Sequence, residues 1–240
     1  MTENEELDDE WTPPTPQRVY ARSLVLSAVV ARGFLEEGAS NADAETSRLR
    51  IRSWLTYVGA SAEAESQEHA LLQSPAGTLS SQQGGEATWR SEGLVVLAWA
   101  LGLCELPVYD VLVDPKEIAD AVGYLRDDAK AAMANATLRP VEEIQQCAAE
   151  LFSLHWRLRD FSLKSEAMDF QAFARESWFG PLNVTSLRFI DNDLAIGEAP
   201  IVEADEGDFG LCLEATIERH QAINWLMGQH ELYSEVTGDT

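Results

Sequence analysis

The sequence predicts a mainly α protein: a single helical domain of about seven to eight helices, with a small β-hairpin before the C-terminal helix. Three observations predict it. Apolar residues recur at intervals of three and four through most of the chain, as they do where one helix after another buries a stripe. One passage, Ser186–Asp205 (SLRFIDNDLAIGEAPIVEAD), instead alternates apolar and polar residues around Asp191-Asn192 and Gly197-Glu198, the pattern of short strands joined by turns. No repeat at a fixed period and no charge-flanked linker divides the chain.

The elements follow in order. MTENEELDDEWTPPTP, residues 1–16, carries acids without bases and then three prolines, which predicts a flexible tail or a strap ahead of the domain at 17–240. A helix over Gln17–Leu35 turns Tyr20, Leu24, Ala28, Ala31 and Leu35 to one side. A second, near Ala44–Val58, sends Leu49, Ile51, Trp54, Leu55 and Val58 inward and can close at Gly59 in the left-handed conformation. A shorter helix is expected near Ala62–Leu72, then a loop by composition over Ser74–Gly85. The most apolar helix runs from about Glu86 to Cys104. Asp114-Pro115-Lys116-Glu117 starts the next, with Asp as N-cap and Glu three residues on for a capping box. Pro140 begins a helix to about Phe161, with Ile144, Ala148, Leu151, His155 and Leu158 in one stripe. Met168–Gly180 holds a short helix, and a last one spans about Leu211–Met227 and ends at Gly228.

Charge narrows the partners. The formal net charge of -24 repels phosphate backbones and anionic headgroups, so neither nucleic acid nor a membrane surface is expected as partner. Solubility is the plain reading of such a field; faster encounter with a basic protein partner is the functional one. Cys104, Cys147 and Cys212 lie far apart in apolar helical contexts, which predicts buried free thiols and a reducing compartment. The apolar run Leu24–Ala31 follows an acidic start rather than a basic one, and no run reaches membrane-span length. A cytoplasmic protein is expected.

Five passages together resemble a bacterial domain-of-unknown-function family, number 4272: RSLVLSAVVARGFLE, WRSEGLVVLAWALG, LHWRLRDF, DLAIGEAPI and ERHQAINWL. They stand in the family's order and cover most of the chain past the acidic tail, which is peculiar to this chain. The resemblance implies a soluble, mostly helical bacterial protein and supplies no activity and no catalytic residue.

Helical projection at 100° per residue sorts the polar groups. Glu92 shares its face with Val96, Trp99 and Leu103, while Arg90 lies roughly 160° away. On the Pro140 helix, His155 falls in the apolar stripe and Arg159 points inward with it. Arg157 falls instead among Glu143, Gln146, Glu150 and Ser153, a solvated face. On the last helix His220 joins Leu213, Thr216, Ile217, Ile223 and Met227, flanked by Asn224 and Arg219, with Glu218 and Trp225 opposite. The inward polar set is therefore Arg90, Glu92, His155, Arg159, Arg219, His220 and Asn224. Such residues either bond across helices and fix their register or line a ligand pocket.

Chemistry with a recognisable spacing is missing. There is no H-x-x-x-H or H-E-x-x-H, G-x-S-x-G, S-x-x-K, P-loop or Rossmann glycine pattern, and no metal or cofactor is expected. Cys147 and His155 are eight residues apart on one helix, about 12 Å, too far for thiolate activation. Glu203–Asp208 and Asp191–Asp193 lack EF-hand spacing and read as solvated turns. The seven tryptophans fall mostly at helical core spacing, with interface anchoring as the alternative reading for Trp11 and Trp178. The expected function is a non-enzymatic protein-interaction module, immunity- or adaptor-like. The alternative is an enzyme or small-ligand or metal-binding protein that uses the Glu/His/Arg cluster between the Trp89, Pro140 and C-terminal helices.

Overall fold

The computed structural model describes residues 12–36 and 41–238. Of the tail expected over 1–16, residues 1–11 lie outside the described ones. Pro16 already belongs to the first helix, α1 (Pro16–Phe34), whose N-cap Thr15 accepts from the Arg18 N–H at 3.3 Å. Helix α2 (Asn41–Val58) ends at Gly59, φ +84°, and α3 (Ser66–Gln73) is capped reciprocally by Glu65 and Glu68. There follow α4 (Ser81–Ala100), α5 (Pro115–Ala121), α6 (Ala129–Ala134), α7 (Val141–Lys164) and α8 (Phe170–Glu176). Strands β1 (Phe189–Ile190), β2 (Asp193–Ile196) and β3 (Ala199–Pro200) form one antiparallel sheet in the order β1-β2-β3. Helix α9 (Glu206–Leu226) comes after them. The protein is thus mainly α, with 63% of the described residues helical and a small antiparallel sheet before the C-terminal helix.

The layers follow from where the apolar residues fall. Helix α1 packs along α4, α4 along α9, and α9 along α7. A larger core holds Leu24, Leu26, Leu94, Leu97, Ile223 and Trp225; a smaller one gathers Leu154, Leu158, Phe170, Leu194, Ile196 and Cys212 around the hairpin. Asp191 and Asn192, at φ +52° and +66°, make the two-residue turn that puts Phe189 opposite Leu194.

Several expectations change. The loop expected over Ser74–Gly85 is cut short, because Ser80 and Gln83 form a capping box and α4 begins at Ser81. Gly84 and Gly85 are helical, whereas Gly77, at φ +79°, stays in the loop. The close crossing beside Gly84 is a constraint on Gly33, since a Cβ at Gly84 itself would meet only ordinary contact at 3.9 Å. A Cβ at Gly33 of α1 would lie 2.8 Å from the Gly84 carbonyl, so the two helices cross backbone to backbone there. Helix α4 also stops earlier than expected, with Gly102 at φ +72° turning the chain away. The third helix splits into a 3-10 turn, Ala60–Glu63, and α3. Leu49 is 48% exposed, since Arg48 rather than Leu49 takes the inward position on α2. Glu203–Asp208 is no simple turn: Asp205 caps α9, which starts five residues earlier than expected. The capping box expected at Asp114 reduces to the N-cap itself, whose Oδ1 accepts from the Lys116 and Glu117 N–H groups.

Candidate functional site

Three consecutive residues of α9 organise the middle of the molecule. Each step along a helix turns the side chain by about 100°, so Glu218, Arg219 and His220 fan out to three different neighbours.

Arg219 reaches α4 and the segment after it. Its Nε and Nη2 donate to Glu92 Oε2 at 2.9 and 2.6 Å. Nη1 donates to the carbonyls of Val108 and Tyr109, and Nη2 also to that of Val111 at 2.7 Å. All five N–H bonds of the guanidinium therefore have an acceptor. Glu92 completes the clasp, because its Oε1 accepts from the Val113 N–H at 2.9 Å. Both side chains are buried. The pair staples the irregular chain between α4 and α5 onto α9.

Glu218 reaches the other side of α4. Its carboxylate accepts from Arg90 Nη1 at 3.1 Å, and the same nitrogen donates to Gln221 at 2.9 Å. Burial pushes the Glu218 carboxyl above its usual range, and the Arg90 charge holds part of that rise back. Glu218 and Trp225, expected to face away from the core, are thus engaged. Helix α9 is covered on this side too, by α4 and by the 3-10 turn Tyr233–Glu235, and the Trp225 indole donates to the Glu231 carbonyl.

His220 meets His155 of α7, Nδ1 to Nδ1 at 2.8 Å, both rings buried. One ring donates and the other accepts, which requires at least one neutral imidazole. Burial lowers both pKa values, His220 to about 4 with His155 adding to the effect, and His155 with Arg159 adding to it. Gly238 closes over the pair; a Cβ there would lie 3.2 Å from the His155 ring. Asn224, one turn on from His220, donates to the Thr237 carbonyl.

The seven expected residues therefore do not meet in one cavity. They divide into an Arg90–Glu218 pair, an Arg219–Glu92 clasp, a histidine pair and an Asn224 contact to the C-terminal segment. Arg159 is corrected outright: it is exposed, and Arg157 is the buried one. The reason is the hairpin, which packs on the face of α7 taken for the solvated one. It brings Asp193 Oδ1 and Oδ2 to 2.7 and 2.6 Å of Arg157 Nε and Nη2. Asp193, read as part of a solvated turn, is buried accordingly.

Projection missed a wider pattern. Of the chain's 14 arginines, eight donate to main-chain carbonyls among the described residues: Arg18, Arg22, Arg32 and Arg48, and also Arg139, Arg157, Arg188 and Arg219. Arg32 and Arg48 alone take the carbonyls of Leu72, Gln73, Ser74 and Pro75, the C-terminal end of α3. A scarce cation on a helix face beside a long irregular connection was the available signal.

Other chemistry is sparse. The Cys147 and Cys212 thiols are pushed up to about 12 by burial, which suppresses the thiolate. Among the described residues no group of three or more His, Cys, Asp or Glu side chains gathers where it could hold a metal ion. No helix among them is long and apolar enough to cross a membrane.

Fold and seam together define a mainly helical protein whose buried charges staple its own loops. Residues 5–172 match the model of the family described as Domain of unknown function (DUF4272), and the chain belongs to that family. The match begins at residue 5, so most of the acidic tail, read as peculiar to this chain, falls inside it. It ends within α8, so the hairpin and α9, with Glu218, Arg219 and His220 and two of the five resembling passages, lie beyond it. No curated protein and no solved structure matches the chain.

Proposed function

We propose that this protein is a non-enzymatic protein-interaction module, adaptor- or immunity-like, which takes a basic partner through an aromatic groove beside α7. The single observation behind this reading is a division of labour. Glu92, Arg219, His155, His220 and Asn224 are each engaged with one another or with main-chain groups, whereas an aromatic surface beside α7 is left without a partner.

That surface is a cleft of about 640 Å³ lined by Phe152, Trp156, Phe179 and Leu182, with Trp178 at its rim. Trp178 is 89% exposed and meets Phe179 edge-on, ring centroids 5.2 Å apart. Trp156 beneath stacks on Phe173, ring centroids 4.4 Å apart, and so forms the floor of the cleft. Contiguous exposed aromatics of this kind suit the buried centre of an interface. The charge of -24, with most arginines turned onto the backbone, suits a basic partner and steers it. In this reading residues 17–240 act as one domain.

The test is capture of partners from cells with tagged protein, identification by mass spectrometry, and repetition with each purified partner. A basic partner whose affinity falls steeply with added salt and collapses in Trp178→Ser is the expected result. Binding indifferent both to salt and to Trp178→Ser overturns the reading.

A further inference from the structure

Between α3 and α4 lies a second cleft, of about 370 Å³, with Val29, Leu71, Leu79 and Ala87 along its apolar wall and Glu86, Arg90 and Tyr233 among its polar lining. The geometry points to a binding site here for a small zwitterion, an α-amino acid with an apolar side chain, whose carboxylate rests on Arg90 and whose ammonium faces Glu86.

Arg90 is the first reason. Its Nη1 is occupied by Glu218 and Gln221, but Nε and Nη2 have no protein acceptor among the described residues. That free edge is one of those by which a guanidinium takes both oxygens of a carboxylate. The side chain is 31% exposed, so a ligand can reach it.

Glu86 is the second. It stands four residues before Arg90 on α4, where side chains lie one above the other. An i,i+4 acid and base in this order ordinarily pair, yet these two do not. Glu86 Oε1 accepts from Gln82, and Arg90 turns to α9. Two opposite charges are thus held one helical turn apart at the edge of an apolar cleft. An α-amino acid, with its ammonium and carboxylate on a single carbon, matches that pair of charges. The other carboxylates of the cleft have no such freedom: Glu65 accepts from the Tyr233 and Ser234 N–H groups, and Glu68 from the Glu65 N–H and from Arg22.

Tyr233 is the third. Its hydroxyl is buried with no hydrogen-bond partner and lies against Gly93, one turn from Arg90 on the same face of α4. A buried hydroxyl left unpaired is unfavourable, and a ligand oxygen on Arg90 gives it an acceptor. The charge of the ligand is fixed by the surroundings. A bare anion meets a net charge of -24 and three glutamates at the cleft; a net-neutral zwitterion carries its own ammonium and escapes that repulsion.

The experiment titrates L-leucine, L-valine and L-methionine singly into the full chain by calorimetry, with a parallel thermal-shift series. Isovalerate, which lacks the ammonium, and 3-methylbutylamine, which lacks the carboxylate, are the comparison ligands. Saturable binding of at least one amino acid is expected, with both comparison ligands weaker by about tenfold or more. Arg90→Gln combined with Glu218→Gln, which removes both charges of the pair, should abolish it. Should that double variant fail to fold, Glu86→Gln and Tyr233→Phe carry the test: Glu86 is exposed and Tyr233→Phe deletes only an unpaired oxygen, so both keep the fold, and both should weaken binding. No saturable binding by any of the three amino acids overturns the proposal, as does isovalerate binding as tightly as they do. Unchanged affinity in whichever of these variants fold overturns it equally.

Discussion

Arg90 and Glu92 stand two residues apart on α4, yet the fold treats them differently. Glu92 is sealed against Arg219, whose five N–H bonds all end on protein oxygens. Arg90 shares one nitrogen with Glu218 and Gln221 and keeps a free edge toward a cleft. A charge that is fully satisfied and dry can only hold structure, whereas one that is half satisfied and wet has capacity left for a ligand. The sharpest way to break this contrast is to remove each residue in turn. Glu92→Ala strands a buried guanidinium and should cost about 3–5 kcal/mol. Arg90→Gln should cost less, about 1–3 kcal/mol, as a mostly buried group losing one partner does, because the Arg90 side chain is 31% exposed and Glu218, already raised by burial, can take up a proton. Urea denaturation measures both; equal losses would erase the distinction.

The histidine pair is sealed like Glu92, but it titrates. Its folded pKa values are depressed, His220 to about 4, so between about pH 6.5 and 4 the unfolded chain binds more protons. The stability is therefore full above about pH 6.5 and is lost as pH falls toward 4, by an amount on the order of 3 kcal/mol. Glu218, shifted upward, acts in the opposite sense at the lower end. A melting series from about pH 7 to 5 avoids the ordinary carboxylate range, and the difference between the native chain and His220→Asn separates the histidines from the raised Glu218 and Glu63. His220→Asn should flatten that slope, and an unflattened slope would show that the pair is not its source.

Gly93 offers a finer probe of Arg90's side of α4. A Cβ there would collide with the Tyr233 hydroxyl and approach the Glu218 carbonyl to 3.3 Å. Gly93→Ala should cost about 1–3 kcal/mol, as overpacking does, and Tyr233→Phe should recover part of it by removing the colliding oxygen. Failure of that rescue in thermal melts would mean that the backbone of α9, not the hydroxyl, sets the spacing.

The same residues show what could be read from sequence. Helix positions were legible because α2 and α7 each bury a stripe at helical period and α1 and α4, buried nearly all round, run apolar over several turns, and the hairpin because Asp191-Asn192 sits between alternating runs. The inward aim of Glu92, Arg219 and both histidines was legible from the same projection. Their partners were not, since Glu92 and Arg219 are separated by 127 residues and only packing brings α9 onto α4. Arg157 and Arg159 were exchanged for a related reason: projection ranks faces by their own residues, and the polar face of α7 is buried by a hairpin that supplies Asp193. The start of α4 was hidden because Gly84 and Gly85 look like loop until Gly33 is placed against Gly84.

Trp178 is the opposite extreme from Glu92, and its effect on the fold should be the smallest. Its ring is almost wholly in water and packs edge-on against Phe179 alone among the ring contacts described. Trp178→Ser should therefore leave stability within about 0.5 kcal/mol of the native chain. Chemical denaturation checks that value, and partner capture by the same preparation checks the other half. A residue whose loss moves neither stability nor binding is incidental surface, and one whose loss unfolds the chain belongs to the core. Only unchanged stability with lost capture fits a side chain held in place for another protein, which is how the groove differs in kind from the seam behind it.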